Sequence, residues 1–329
     1  MRPPLHPTVL RHLQAVQRST RVGLHSLLRG KNTDVRSAST VYRWQRSLAE
    51  QLLVVPNVSV ELLGLRHAHV FLTTPLGNID CPFAVEAAWI TADFCQEVLY
   101  LHCLVPVAHV TAFTTSMAGG TIVWSSSGWQ QFLTSDEDIL LPIPADAVAQ
   151  SDLVCQRPFV LPALMELWTY PNTLPLVWQR IHQRLGNRVK EFLPRTKIRY
   201  VNGKTHITDA FRCLQAEGLV RQQLIRYHPL LAVSVEVFVM IRLGRSDVQH
   251  VLACLRGVLH AIESYPTSDG YWCRLLGPHR LLDAIIKLPG EIRTHLRLVY
   301  FHTKRHPTPL VRFAYETTYD PKNKTWVRA

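Results

Sequence analysis

Apolar positions along the chain recur at two spacings, three-to-four in some stretches and two in others. Val41, Trp44, Leu48 and Leu52 keep helical spacing behind Ser39, a natural N-cap, and this predicts an amphipathic helix whose outer face carries Arg43, Arg46 and Ser47. Past Leu53 the spacing drops to two. Val54 and Val55, then Val58, Val60 and Leu62, flank Pro56-Asn57 and predict two short strands around a turn. Thr8–Gln17 and Val22–Leu28 predict two helices ahead of this one.

From His67 the spacing changes again. HAHVFLTT predicts a strand, Cys81–Trp89 a helix, VLYLHCLVP a strand ended by Pro106, Val107–Ser116 a second helix and TIVWSSS a last strand. One more edge strand, expected between Ile90 and Gln96, would complete β-α-β-β-α-β. No Asp, Glu, Lys or Arg lies between Glu97 and Asp136, and Val98–Ala118 is long enough to cross a bilayer. His102, Pro106, His109 and Gly119-Gly120 interrupt that run, so it reads as a strand, a helix and a strand buried inside a domain.

After an acidic, proline-punctuated stretch the same order returns. Pro162–Trp168, Leu176–Leu185 and Thr205–Glu217 predict helices, the last stopped by Gly218. SVEVFVMIRL, Asp247–Gly257, LHAIESYPT, GYWCRLLG, His279–Leu288 and THLRLVYFHTK then predict strand, helix, strand, strand, helix and strand. STVYRWQRSLAEQLLV falls over THITDAFRCLQAEGLV at an offset of 166, with Val41 on Ile207, Leu48 on Leu214 and Arg46 on Arg212. LYLHCLVP falls over YWCRLLGP at an offset of 172. The chain thus reads as two copies of a unit of about 165 residues.

Charge follows the same division. Residues 1–55 hold nine Lys/Arg against two acids, 56–130 one against five, 131–155 none against five, and 156–233 twelve against four. Positive charge gathered in two helical blocks points to a polyanionic partner at those blocks. Cys81, Cys95, Cys103, Cys155, Cys213, Cys254 and Cys273 are odd in number and form no CxxC, so buried free thiols in a reducing cytoplasm are expected. No apolar secretory segment is visible near the N-terminus.

Three helices followed by a β-ribbon make a winged helix-turn-helix. With a β-α-β-β-α-β domain behind it, the chain resembles the leucine-responsive regulatory protein (Lrp/AsnC) family of transcription regulators. The resemblance is carried by STVYRWQRSLAEQLLVVPNV with ELLGL, THITDAFRCLQAEGLVRQQ, and DGYWCRLLGPHRLLDAI. It implies an α+β chain of two winged helix-turn-helix domains, each followed by a ferredoxin-like domain of the RAM type. The boundaries are 1–65 and 66–130 for the first copy, 131–158 for a linker, 159–232 and 233–303 for the second, and 304–329 for a basic tail. The connection from Gly186 to Lys204, the linker and the tail depart from the family pattern.

The function expected is cytoplasmic, non-enzymatic DNA-binding regulation without a cofactor, by a homo-oligomer or an internal pseudo-dimer. Ser39, Thr40, Arg43, Arg46 and Ser47 are the first reader's candidates: short hydroxyls reach phosphates and arginine forks read guanine. In the second copy the candidates are Thr205, His206, Arg212, Arg221 and Arg226, with Asp209 where the first copy has Arg43. That second reader is either a DNA contact or a degenerate unit that binds protein. The resemblance also implies a small-molecule effector near Ser268, Asp269 and Gly270, although a Ser-Asp-Gly turn explains itself by turn chemistry. His67 and His69 share a strand face beside His102 and Cys103 without metal-ligand spacing, and no nucleophile motif occurs. The alternatives are a protein-interaction factor or a fused enzyme similar to siroheme decarboxylases, which share this architecture and would use His and Arg around a tetrapyrrole.

Overall fold

The computed structural model describes residue 14 and residues 53–73, 81–92, 96–133, 138–143, 153–169, 174–193, 203–226, 235–303 and 313–327. The expected helices over 8–17, 22–28 and from Ser39 lie outside the described residues, apart from helical Gln14.

Alternation builds the main sheet. Strands β2 (Leu65–Leu72), β3 (Ala84–Ala92), β4 (Gln96–Pro106) and β5 (Thr121–Ser125) come from the first half of the chain, with helix α1 (Val110–Ser116) between the last two. The uncharged run is therefore a strand, a short helix and a strand. Among the described residues no helix is long and apolar enough to cross a membrane. Strand β6 (Trp129–Phe132) follows after only three residues.

The second half supplies β8 (Val235–Ile241), helix α7 (Arg245–Leu255), β9 (Ala261–Thr267), β10 (Gly270–Gly277), helix α8 (Arg280–Ile286) and β11 (Leu296–Thr303). All six elements match the expected order.

The nine strands lie in the order β5-β2-β4-β3-β11-β8-β10-β9-β6, every neighbouring pair antiparallel. Each half places its strands fourth-first-third-second, and the halves meet where Tyr300 and Phe301 of β11 pair with Ala92 and Thr91 of β3. Because β5 and β6 are consecutive in the chain yet stand at opposite ends of that order, the segment 121–132 closes the sheet into a barrel. The Ser126 N–H donates to the Pro266 carbonyl at 2.9 Å within the crossing. Gly128 passes so close to β9 that a Cβ there would lie 2.5 Å from the Tyr265 ring, so only glycine fits.

One expectation fails here. Cys81–Trp89 is not a helix: Cys81–Phe83 form a turn and Ala84–Ala92 a strand paired with β4. Alanine and glutamate favour a helix only weakly, and a strand with ladder partners outweighs that preference.

The second helical unit consists of α2 (Leu153–Gln156), α3 (Val160–Thr169), α4 (Leu174–Leu185), α5 (Val189–Phe192) and α6 (Gly203–Ala216). Its apolar stripe of Val160, Leu161, Leu164, Val177, Ile181, Ile207, Phe211 and Leu214 is continuous with the outer face of the first half, Ala68, Val70, Leu101, Cys103 and Val105. Burying each of the larger aliphatic side chains stabilises the fold by about 1.5–3 kcal/mol. The outer face of the second half is covered by α7 and α8, together with Ile139 and Leu141 from the stretch assigned to the linker.

After α6 the chain forms β7 (Val220–Arg226), which pairs antiparallel with β1 (Leu53–Val58) of the first copy. This corrects the expectation of a strand-turn-strand wing at Pro56-Asn57. Residues 53–58 are one strand, a 3-10 turn covers Val60–Leu63, and the ribbon is made between the copies. Proline is tolerated in β1 because both strands of a two-stranded ribbon are edge strands, with one side needing no ladder donor.

Residues 313–327, within the expected tail, fold as well. Helix α9 (Tyr315–Thr318) and the small β12–β13 pair (Tyr319–Asp320, Thr325–Trp326) pack on the helical unit, and the Ala314 N–H donates to the Pro82 carbonyl at 2.7 Å.

Candidate functional site

The barrel's two faces differ in chemistry. Residues pointing outward are almost all apolar, whereas the interior mixes Phe71, Tyr100, Phe238, Tyr265 and Trp272 with buried His67, His69, His102, Glu86, Glu236, Glu263 and Arg274. Alternation explains how each is aimed: His67, His69 and Phe71 share one side of β2, Tyr100 and His102 one side of β4, and Trp272 and Arg274 one side of β10.

Arg274 is the centre of an ion cluster. Its Nε donates to Glu236 Oε1 at 2.5 Å, its Nη2 lies 2.9 Å from Glu86 Oε1, and its Nη1 lies 3.7 Å from Glu263 Oε2. Burial works against the charge on Arg274, but Glu236, Glu86 and Glu263 more than offset it, so its pKa moves further up. Gln130 of β6 donates to Glu263 Oε1 at 2.9 Å.

A chain of polar contacts leads from this cluster to Glu61. His102 Nδ1 stands 4.0 Å from Glu86 Oε2, and His102 Nε2 lies 2.8 Å from His67 Nδ1. His67 Nε2 lies 3.4 Å from Ser127 Oγ, which donates to Glu61 Oε2 at 2.7 Å. The single hydroxyl proton goes to the carboxylate as the stronger acceptor. His67 Nε2 is therefore placed to donate to Ser127 Oγ. His69 lies alongside, with Nδ1 3.0 Å from Tyr100 Oη and Nε2 3.1 Å from Ser125 Oγ.

This arrangement can hold and relay protons and can fix the register of the barrel. Ser127 is fully buried, so it is not a presented nucleophile. Among the described residues no group of three or more His, Cys, Asp or Glu is arranged to hold a metal ion. Both ring nitrogens of His67 and of His69 face neighbouring side chains. Cys103 points to the opposite face, where its Sγ lies 3.7 Å from that of Cys81. Burial, and secondarily Cys81, pushes the Cys103 thiol pKa well up, which suits an inert core thiol. The six described cysteines are free.

The expected DNA contacts divide in two. Ser39, Thr40, Arg43, Arg46 and Ser47 lie outside the described residues. Thr205, His206 and Arg212 lie on α6, where His206 stacks on Trp178 with ring centroids 5.5 Å apart. Arg212 is exposed and pairs with Asp209 at 3.0 Å one turn back. Arg221 and Arg226 stand on β7, Arg226 opposite Leu53. Part of the second basic block is spent internally. Arg184 is buried against Glu166 and Glu316, and Arg188 donates to the Glu316 carbonyl at 2.7 Å.

Ser268, Asp269 and Gly270 form the β9–β10 turn, Ser268 and Asp269 exposed. Asp269 Oδ2 lies 3.0 Å from Arg242 Nε. At Gly270 a Cβ would sit 2.0 Å from the Ile241 carbonyl oxygen, so close backbone approach explains that glycine.

Glu86, Glu236, Glu263 and Arg274 were missed as a group. Each is a lone charge at an inward position of an otherwise apolar strand, and that signal was present in the sequence, since a buried charge demands a partner. Comparison with protein-family models, curated proteins and solved structures finds no match to this chain.

Proposed function

We propose that the protein is a DNA-binding transcription regulator of the Lrp/AsnC type. In this reading one chain supplies both winged-helix readers and both RAM-like modules, so it works as an internal pseudo-dimer.

The observation that carries the reading is the pairing of β1 with β7. At the offset of 166 these strands are counterparts, and Pro56 pairs with Gln223 while Asn57 pairs with Gln222, the counterparts of 57 and 56. The ribbon therefore crosses on a local twofold. Helix α6 leads into it from one end. The sequence counterpart of α6, beginning at Ser39, precedes β1 in the chain. Two such readers, each in a strongly basic block, would suit successive half-sites on duplex DNA.

Selection of binding sites from randomised duplex DNA tests the function. Enrichment of a motif at moderate salt supports it, and failure to enrich any sequence sinks it.

A further inference from the structure

The stretch expected to be a linker is held tightly where it crosses the second half. Residues 138–143 belong to no helix or strand, yet their exposure alternates: Ile139 and Leu141 are buried, whereas Leu140 and Ile143 are 52% and 68% exposed. Ile139 and Leu141 join the apolar cluster that holds Val248 and Leu252 of α7. Side chains of the body hold the main chain. Gln131 of β6 accepts from the Leu140 N–H at 2.8 Å and donates to the Asp138 carbonyl at 2.7 Å, so its amide grips an extended backbone on both sides of Ile139. From α7, Gln249 donates to the Ile139 carbonyl at 2.8 Å and Arg245 to the Leu141 carbonyl at 3.0 Å. Tyr271 of β10 donates to the Pro142 carbonyl at 3.0 Å.

We infer that β6, α7 and β10 form a peptide-binding groove, filled here by residues 138–143 of the same chain, and that its partner is a protein offering an extended aliphatic-x-aliphatic-proline segment. All these hydrogen bonds run between a side chain of the groove and a main-chain group, so any extended peptide presents the same partners. Selectivity falls to the two buried aliphatic positions and to the proline, which has no N–H to satisfy and holds the residue before it extended. Leu140 and Ile143 are exposed and specify nothing. The Leu133 N–H is anchored on the His260 carbonyl, and only residues 134–138 separate Leu133 from Ile139. So short a tether gives the chain's own segment a high effective concentration, with which a partner must compete. Binding at this groove is independent of the DNA reading.

The test uses the full-length chain and a fluorescein-labelled peptide of residues 136–144, DEDILLPIP. Ile139→Ser with Leu141→Ser removes the two side chains that fill the groove. By fluorescence anisotropy this double variant should bind the peptide saturably and on the order of tenfold or more tighter than the parental chain does, because the competing segment is disabled. A peptide with serine at both positions should lose that binding. A second measurement needs no destabilised variant: the same peptide with a photoreactive group in place of Leu140, at millimolar concentration, should label the parental chain within β6 or α7. Equal binding by the two chains, no saturable binding by a variant that keeps a cooperative melt, or labelling elsewhere overturns the proposal. Dimers in an equimolar mixture of variant and parental chains would make a second copy the occupant and overturn it too.

Discussion

Arg184 Nη1 lies 2.6 Å from Glu166 Oε1, both side chains almost fully buried, and the same guanidinium holds Glu316 and the Phe313 carbonyl. The pair joins α4 and α3 of the helical unit to the segment after Ala314, and Tyr315 lies under it with the guanidinium 4.0 Å above the ring centroid. Removing Glu166 by alanine should cost about 1–3 kcal/mol, because Tyr315 loses its buried acceptor while Arg184 keeps Glu316. Urea unfolding measures it, and a loss below about 1 kcal/mol would mean that Tyr315 finds another acceptor.

The same clasp should open in alkali. Tyr315 donates its phenol proton to Glu166 Oε1 at 3.0 Å. Burial first, and then Glu166, raises its pKa. A group whose folded pKa is raised contributes stability that is complete below the unfolded value, near ~10 for tyrosine, and is lost as pH climbs above it. Tyr319 shifts the same way, chiefly through burial, so the two should act together. Limited proteolysis between pH 8 and 11 should show release of the C-terminal segment beginning above about pH 10. Release that is equal at pH 8 would contradict this.

At the β9–β10 turn, Gly270→Ala should destabilise by at least about 1–3 kcal/mol, because a Cβ would meet the Ile241 carbonyl oxygen. Ser268→Ala should stay within about 0.5 kcal/mol, since the side chain is exposed. Thermal melts of the two variants check both. If Ser268→Ala abolished a shift induced by an added amino acid, the turn would be a ligand site as well.

The second half was read element by element because its strands and helices alternate cleanly and Gly218, Pro278 and Pro289 punctuate them. The first half was less legible. Strand β3 is apolar on both faces, with Val85, Ala88 and Ile90 all buried, so it shows neither a strand's alternation nor a turn signal. Pairing between β1 and β7 joins residues from 162 apart (Val58 with Val220) to 173 apart (Leu53 with Arg226), and no local pattern announces a partner at that distance. Pro56-Asn57 carries strong turn chemistry, and the ribbon overrode it because proline costs little on an edge. The interior site was half legible: the histidines stood out by type, whereas the glutamates and Arg274 gained meaning only once β3 and β10 faced each other.

Replacing Arg43 and Arg46 by alanine should weaken DNA binding by about 1–3 kcal/mol for each good bidentate base contact and flatten the salt dependence. Arg212→Ala should do less, because Arg212 already pairs with Asp209. Binding isotherms at several salt concentrations check both. Equal losses in the two variants would make the readers equivalent, against the unlike sequences of their helices.

The central claim is that one chain reads DNA as an internal pseudo-dimer with two unlike readers. Footprinting of the selected site by a chain whose mass is followed by light scattering tests it most directly. A 37.5 kDa monomer should protect an asymmetric site, with a stronger half under the reader of residues 39–47 and a weaker half about one helical turn away. A palindromic footprint with two equal half-sites under a dimer would contradict it.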